Sequence, residues 1–445
     1  MSKRIIELKL TNLLAEGGYT ACLRLGSEAQ SVNLIIDTGS STLVVHESGY
    51  KAGNDKELKP TTLAQEVNYG LGGWLGAVVH TSIHAGELAM ADTPLALVHA
   101  EAEHTFLDAD GIWGMAYHPL NRGYDLTTYL TSHGIDPAST FPWPFPDEAH
   151  PLVKQQLDDF KALLPQLPEE DVATCFTLME ERGLCANRFT LITRRSSIHV
   201  TAPNACANTL AADPLNQGLL ILGSHAADAA PNHGCAVDLK VVHDRYYNVN
   251  LKAVRWQNDT DIALPTAQAA HLCRGSSNAI VDSGASLICL PAVAFTPLMQ
   301  RLWARLPDSK QLTSPFMGDI SQIMAAQKQG IDSSLLNLDD WPRLEFVFEG
   351  ANGENVCLGV DAHHYWQVNA PDYGKAVFKL MGQLPHWPAQ SILGLPLFNP
   401  YRVVFRRDLG EQGIVRFIPH PPLSQGPVSQ SPLNQNPINQ SKAMP

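Results

Sequence analysis

The sequence predicts a mainly β protein of two lobes, and two observations carry that prediction. Short apolar, β-branched runs recur along the 445 residues, in a chain that also contains 32 glycines and 31 prolines. Such runs, bounded by turn residues, are typical of strands in all-β architectures. One strand-and-turn pattern also occurs in both halves of the chain, which indicates a duplicated unit.

The individual elements follow from the spacing of the apolar residues. Strands are predicted over 19–25, 32–36, 75–80, 189–192, 218–222, 241–251, 344–348 and 401–405. A helix-like spacing of apolar residues predicts helices over 153–164, 293–306 and 320–327. The stretches at roughly 118–172 and 305–335 are predicted to be inserts, and the sequence does not reveal their role.

The duplicated pattern is an apolar strand that ends in Asp, followed by a small hydroxyl residue and Gly. It occurs at 37–39 and at 282–284, and an apolar-apolar-Gly run follows each copy, at 112–114 and 392–394. The predicted domains are therefore a first lobe, a second lobe and a disordered tail rich in Pro, Gln and Asn. They span 1–192 with Asp37, 193–419 with Asp282, and 420–445.

Two Asp side chains that face each other can act as an acid and a base. Like charges at close range cannot both ionise easily, so Asp37 and Asp282 would share one proton. The ionised partner can take a proton from water, and the protonated partner can donate one to a carbonyl oxygen. The glycines let the backbone turn sharply, and the hydroxyls of Thr38 and Ser283 can fix the turns by local hydrogen bonds. This chemistry supports attack of water on a peptide bond without a covalent intermediate.

Charge and targeting signals narrow the class of protein. The formal net charge is −13, which argues against nucleic acid as a partner. The first residues lack the apolar core of a signal peptide, and no apolar run is long enough for a membrane helix. The eight cysteines are scattered and read as reduced thiols. We therefore expect a cytoplasmic monomer that acts on peptide or unfolded protein, without a nucleic-acid or membrane partner.

These motifs resemble the pepsin-like aspartic proteases from about residue 19 to 419, and among them the bacterial shewasin-type homologues. The segments that carry the resemblance are 19–41, the hairpin tip at 67–72 (the flap), 110–117, 176–184, 246–251 and 391–405. The resemblance implies two β-rich lobes with a cleft between them. It implies a reaction that needs neither a metal nor another cofactor. It also implies cleavage near apolar residues, by a chain made without a prosegment.

The resemblance assigns roles to individual residues. Asp37 and Asp282 would be the catalytic pair, supported by Thr38, Ser40 and Ser283. Tyr69 would cap the substrate from the flap. Contacts to the substrate are implied for Gly39, Gly70 and Gly284, and an apolar subsite is implied for Ile35, Phe106, Leu107 and Ile112.

Two positions depart from the family pattern. Val44 stands where the family often has the Trp that supports the flap tyrosine, and Trp74 is a candidate substitute. Ala285 stands where Thr or Ser is frequent beside the second Asp. Loss of that hydroxyl should raise the apparent pKa of the carboxyl pair, so we predict an activity optimum less acidic than is usual in the family.

Alternative functions have less support in the sequence. A catalytically inactive peptide-binding protein on the same fold stays open, because Val44 and Ala285 are unusual. An α/β hydrolase is disfavoured because the chain lacks a G-x-S-x-G elbow. His80 and His84 have helical metal-ligand spacing but lie in a predicted strand, so a metal site is not expected.

Overall fold

The computed structural model describes residues 4–69, 72–101, 105–145, 158–223, 236–266, 276–384, 387 and 389–420. These residues form a mainly β fold, which confirms the predicted fold class. The predicted tail over 420–445 lies outside the described residues except for His420.

Twelve strands lie within the first half of the chain. They are β1 (Ile6–Thr11), β2 (Thr20–Leu25), β3 (Gln30–Asp37), β4 (Leu43–His46), β5 (Lys59–Asn68), β6 (Gly73–Ala85), β7 (Leu88–Glu101), β8 (Gly111–Gly114), β9 (Arg122–Asp125), β10 (Glu169–Asp171), β11 (Arg188–Ile192) and β12 (Gln217–Leu222).

The remaining described strands belong to the second half. They are β13 (Val237–Lys240), β14 (Asn248–Val249), β15 (Leu251–Trp256), β16 (Ile262–Ala263), β17 (Ala279–Val281), β18 (Ile288–Leu290), β19 (Ile331–Asp332), β20 (Leu344–Glu349), β21 (Asn355–Val360), β22 (Trp366–Val368), β23 (Lys375–Phe378), β24 (Leu380–Gly382), β25 (Ser391–Leu393), β26 (Tyr401–Arg406) and β27 (Ile414–Pro419).

Helices occupy the connections between strands. The predicted helices over 293–306 and 320–327 are confirmed as Ala292–Arg305 and Ile320–Gln329. Residues 158–163 are helical, and the first part of the helix predicted over 153–164 lies outside the described residues. The other α-helices are Thr127–Ser132, Cys175–Glu181, Ala207–Ala212, Ser309–Thr313, Ala362–Tyr365 and Leu395–Phe398.

One predicted strand is wrong. Residues 241–251 do not form a single strand, because the chain turns between Val242 and Asn248 before β14 begins. The turn is closed by a hydrogen bond from the Val242 N–H to the Asn248 carbonyl at 2.8 Å. Polar residues at 243–245 interrupt the apolar run and favour this turn.

A large mixed sheet joins both halves of the chain. β1 pairs with β12, which pairs with β11, and β11 pairs with β26 near the carboxyl end. The aromatic core follows this sheet, with the rings of Phe189 and Phe405 4.6 Å apart and those of Tyr247 and Phe405 4.4 Å apart. The predicted lobe boundary after Ile192 falls at the end of β11, inside this shared sheet, and stays a prediction.

The duplication seen in the sequence is also a duplication of strand topology. β3 runs parallel to β8 and β4 runs antiparallel to it, while β4 is also parallel to β7. In the second half, β17 is parallel to β25, β18 is antiparallel to it, and β18 is parallel to β24. Each Asp turn therefore connects two strands that flank the apolar-apolar-Gly strand of its own half.

Candidate active site

Asp37 and Asp282 occupy equivalent strand ends and hydrogen-bond each other. Asp37 is the last residue of β3, and Asp282 directly follows β17. The two carboxyl groups share a hydrogen bond. Asp37 is 6% exposed, whereas Asp282 is half-buried and Gly284 is exposed. The structure therefore brings the two predicted catalytic residues together at a site that solvent reaches beside the second turn.

The hydroxyls of Thr38 and Ser283 reach across to the opposite turn. The Thr38 N–H donates to Ser283 Oγ at 3.1 Å, and the Ser283 N–H donates to Thr38 Oγ1 at 2.9 Å. The hydroxyls then donate to the carbonyls of Val281 and Ile36 at 2.9 and 2.7 Å. The prediction that they fix their own turns locally is wrong, because the hydrogen bonds of both hydroxyls go to the opposite half of the molecule. Both residues support the pair by joining the two halves.

Gly39 and Gly284 allow the turns to approach the carboxylates. A Cβ on Gly39 would lie 2.6 Å from Asp282 Oδ1, and a Cβ on Gly284 would lie 2.4 Å from Asp37 Oδ1. Any side chain would therefore push the pair apart. The same glycines donate their N–H groups to the Asp of their own turn, at 2.7 and 2.9 Å. Their predicted contact with substrate stays a prediction.

The two Asp residues have different hydrogen-bond donors at equivalent positions. The Ser40 hydroxyl, three residues after Asp37, donates to Asp37 Oδ2 at 2.5 Å. Ala285 is the equivalent residue after Asp282 and supplies only its backbone N–H. Burial and the negative charge of Asp37 raise the pKa of Asp282 well above its usual range, although the N–H groups of Gly284 and Ala285 oppose that shift. The unequal donors therefore favour the proton on Asp282.

Tyr69 lies over the first turn, held by the Trp predicted as a substitute. The Trp74 Nε1–H donates to the Tyr69 hydroxyl at 3.0 Å, and the Ser40 side chain hydrogen-bonds the same hydroxyl. Burial and the charge of Asp37 raise the pKa of Tyr69 above its usual range, so the phenol stays neutral. Gly70, the neighbouring predicted substrate contact, lies outside the described residues.

The residues predicted to form an apolar subsite pack together beneath Tyr69. Ile35 and Ile112 are 6% exposed and pair in register on β3 and β8. They form one cluster with the side chains of Val44, Trp74, Phe106 and Leu107. Val44 packs in the same cluster as Trp74. Trp74, on β6, holds the Tyr69 hydroxyl by its indole N–H. The role of these residues in substrate binding stays a prediction.

Sequence reasoning missed Tyr246 as a residue of the site. Burial raises the pKa of its phenol, the charge of Arg245 opposes that shift, and the charges of Asp282 and Asp37 add to it, so the phenol is within electrostatic range of the pair. The next residue, Tyr247, points into the core and donates to the Met115 carbonyl at 2.8 Å. The sequence signal is a pair of tyrosines before a strand, of which Tyr247 is buried and Tyr246 is half-buried.

No three His, Cys, Asp or Glu side chains within the described ranges gather as metal ligands. No helix in that part of the chain is long and apolar enough to cross a membrane. The six cysteines that the structure describes form no disulfide with one another, and Cys289 is a core residue of β18.

Comparison with known proteins places the chain in a family. The family model for eukaryotic aspartyl proteases matches residues 18–133 and 198–394, which include both Asp turns and the flap. Pregnancy-associated glycoprotein 6 of Ovis aries is 27% identical over 114 residues, which are 23% of this chain and 30% of that protein. The match therefore spans less than a third of this relative. Because the family model covers more than half of the chain, the protein belongs to the eukaryotic aspartyl protease family.

Proposed function

We propose that the protein is an aspartic endopeptidase in which Asp37 and Asp282 activate a water molecule. The observation that carries the proposal is the hydrogen-bonded carboxyl pair with its unequal surroundings. Ser40 stabilises negative charge on Asp37, whereas Asp282 has no equivalent hydroxyl donor and its pKa is raised by burial and by the charge of Asp37. A base and an acid thus lie side by side, which is the arrangement that one-step attack of water requires.

The reaction follows from these two protonation states. Asp37 accepts a proton from the bound water while the water oxygen attacks the peptide carbonyl carbon. Asp282 gives its proton to the carbonyl oxygen, so no negative charge builds up on the intermediate. Transfer of a proton from Asp37 to the amide nitrogen and return of a hydroxyl proton to Asp282 let the C–N bond break. The pair ends in its starting state.

The substrate class follows from the surroundings of the pair. Tyr69 caps the first turn, and the apolar cluster of Ile35, Ile112 and their neighbours lies beneath it. Apolar surfaces of this kind favour apolar side chains next to the scissile bond. We propose an extended peptide or unfolded protein as substrate, because a cleft that a hairpin covers admits an extended chain.

Hydrolysis of a denatured protein tests the proposal. Wild-type protein, Asp37→Asn and Asp282→Asn are compared between about pH 3 and 7, where such pairs titrate. We expect cleavage by the wild type, loss of cleavage in both variants, and inhibition by a statine-type peptide. The intact mass is recorded before and after the assay, which tests whether the chain acts without processing. Peptide binding without any cleavage would favour the inactive peptide-binding protein instead.

A further inference from the structure

The segment over 118–172 extends the flap sheet. β9 pairs with β5 on the edge opposite to β6, with Leu63 facing Asp125 and Ala64 facing Tyr124, and β10 pairs with β9. The first strand of the flap hairpin is therefore not a free edge at its base. Much of this segment, from residue 134 onward, lies outside the ranges that the family model matches.

Apolar packing fixes the same part of the hairpin. Side chains of the segment form one cluster with Ala64 of β5 and Leu75 of β6, which are both fully buried. The cluster members from the segment are Leu126, Leu130, Phe160 and Leu164. Tyr69 lies beyond this packed base and contacts the other cluster, with Trp74. The base of the hairpin is thus fixed by the segment, whereas Tyr69 packs against a different cluster beyond it.

The buried amide of Asn121 links the segment over 118–172, strand β5 of the hairpin and the first Asp turn. Asn121 Oδ1 accepts hydrogen bonds from Thr42 Oγ1 at 2.8 Å and from Gln65 Nε2 at 2.9 Å. Asn121 Nδ2 donates to the Val172 carbonyl at 2.9 Å. Asn121, Thr42 and Gln65 are 3%, 5% and 1% exposed, so water does not compete for these bonds. The Gln65 amide also donates to the Arg122 carbonyl at 2.8 Å.

Thr42 is tied directly to the loop that carries Asp37. Its carbonyl accepts from the Gly114 N–H at 2.9 Å. The next two N–H groups, of Met115 and Ala116, donate to the carbonyls of Asp37 and Ser40 at 2.7 and 2.8 Å. A shift of Asn121 would therefore be transmitted both to the flap strand at Gln65 and to the loop that positions the carboxyl pair.

Building on the proposed endopeptidase function, we propose that Asn121 is a positioning residue that sets the flap relative to the first Asp turn. Val172, at the other end of the segment over 118–172, holds the Asn121 amide in place by its carbonyl. Because Gln65 lies on β5 a few residues before Tyr69, fixing its side chain fixes the strand from which Tyr69 extends. The height of Tyr69 above Asp37 is then determined by a contact remote from both.

Variants of the two residues that donate to Asn121 test this role. Asn121→Ala is less suitable, because it would also remove the hydrogen bond to Val172 and destabilise the fold. Gln65→Met and Thr42→Val each remove one donor to Asn121 Oδ1 at nearly constant volume. Gln65 Oε1 accepts no hydrogen bond within the described residues, so the substitution by Met removes only the donated hydrogen bonds of the amide. Thr62→Val is the matched control, because it removes a β5 hydrogen bond to Asp125, at 2.8 Å, without touching Asn121.

We expect Gln65→Met, which removes the hydrogen bonds to Asn121 and to the Arg122 carbonyl, to raise KM and weaken a statine-type inhibitor by about fivefold or more. Thr62→Val should stay within about twofold of the wild type. Because Thr42 and Gln65 act through one atom, the double variant should lose less kcat/KM than the product of the single losses. Active-site titration with the inhibitor corrects all values for misfolded protein.

The outcomes separate this inference from the proposed function. Unchanged KM and inhibitor affinity in Gln65→Met, or losses that multiply in the double variant, would overturn the role of Asn121. An unaltered affinity together with a lowered melting temperature would reduce Asn121 to a structural residue. Failure of the wild type to cleave would overturn the endopeptidase, while inhibitor binding would still test the flap. Absence of both cleavage and inhibitor binding would overturn the two proposals together.

Discussion

Thr38 and Ser283 exchange hydrogen bonds between the two halves of the molecule, each N–H donating to the hydroxyl of the other residue. Each hydroxyl donates in turn to the strand that ends at the opposite Asp. All of these groups are buried, so each bond lost leaves a polar group without water. The separation of the Asp37 and Asp282 carboxyls therefore depends on contacts that neither turn can make alone.

Removal of either hydroxyl should weaken both stability and catalysis. We expect Thr38→Val and Ser283→Ala each to lower the free energy of unfolding by about 1–3 kcal/mol, since buried partners stay unsatisfied. The kcat for peptide cleavage should fall by about tenfold or more, because the pair loses its fixed geometry. Chemical denaturation and steady-state kinetics measure the two effects. The exchanged variant, Thr38→Ser with Ser283→Thr, keeps both hydroxyls and should recover most of each loss.

Restoring a hydroxyl at position 285 should make the activity profile more acidic. Ser40 shows that a hydroxyl three residues after the Asp can donate to its carboxylate. In Ala285→Thr an equivalent donor would stabilise the ionised form of Asp282, whose pKa burial and Asp37 now raise. The apparent pKa values of the pair then fall, and the pH profile of kcat/KM should move down by about one unit. Ala285→Val matches Thr in size without the hydroxyl, and an equal shift in both variants would refute the explanation.

The parts of the site that could be predicted from sequence are those that one short segment determines. The Asp turns, Gly39 and Gly284 follow from a local pattern that repeats, and the structure gives both copies the same strand topology. The partners of Thr38 and Ser283 depend on how two distant segments meet, which a local pattern does not contain. Asn121 was missed for the same reason, because its three partners come from separate parts of the chain.

Trp74 should matter through its indole N–H. In Trp74→Phe the Tyr69 hydroxyl loses its donor, while an aromatic ring still fills the cluster with Val44. We expect kcat/KM to fall by about fivefold, the effect of one hydrogen bond of roughly 1 kcal/mol. The effect should disappear in a Tyr69→Phe background, because no hydroxyl is left to anchor. A loss of the same size in both backgrounds would show that Trp74 acts by packing and not through Tyr69.

A lysine buried away from the carboxyl pair carries a separate prediction about stability. Lys379 is 1% exposed, and its Nζ donates to the Glu16 carbonyl at 3.1 Å. Burial lowers the pKa of Lys379 from 10.5 to about 7, opposed by the charge of Glu16 and assisted by that of Arg195. Above about pH 7 the folded lysine is neutral while the unfolded lysine stays protonated up to its ordinary pKa.

The unfolded state therefore binds more protons between about pH 7 and 10, and this lysine makes the protein more stable as the pH rises through that range. Below about pH 7 both states are charged, and the full cost of burying the ammonium is present.

Lys379→Met removes this cost, so its melting temperature should exceed that of the wild type by about 3 °C or more at pH 6. The difference should shrink at pH 9. Lys328→Met removes an exposed lysine 3.9 Å from Glu16 and should change the melting temperature little at either pH. Equal gains from Lys379→Met at both pH values would show that packing, and not the buried charge, sets the difference.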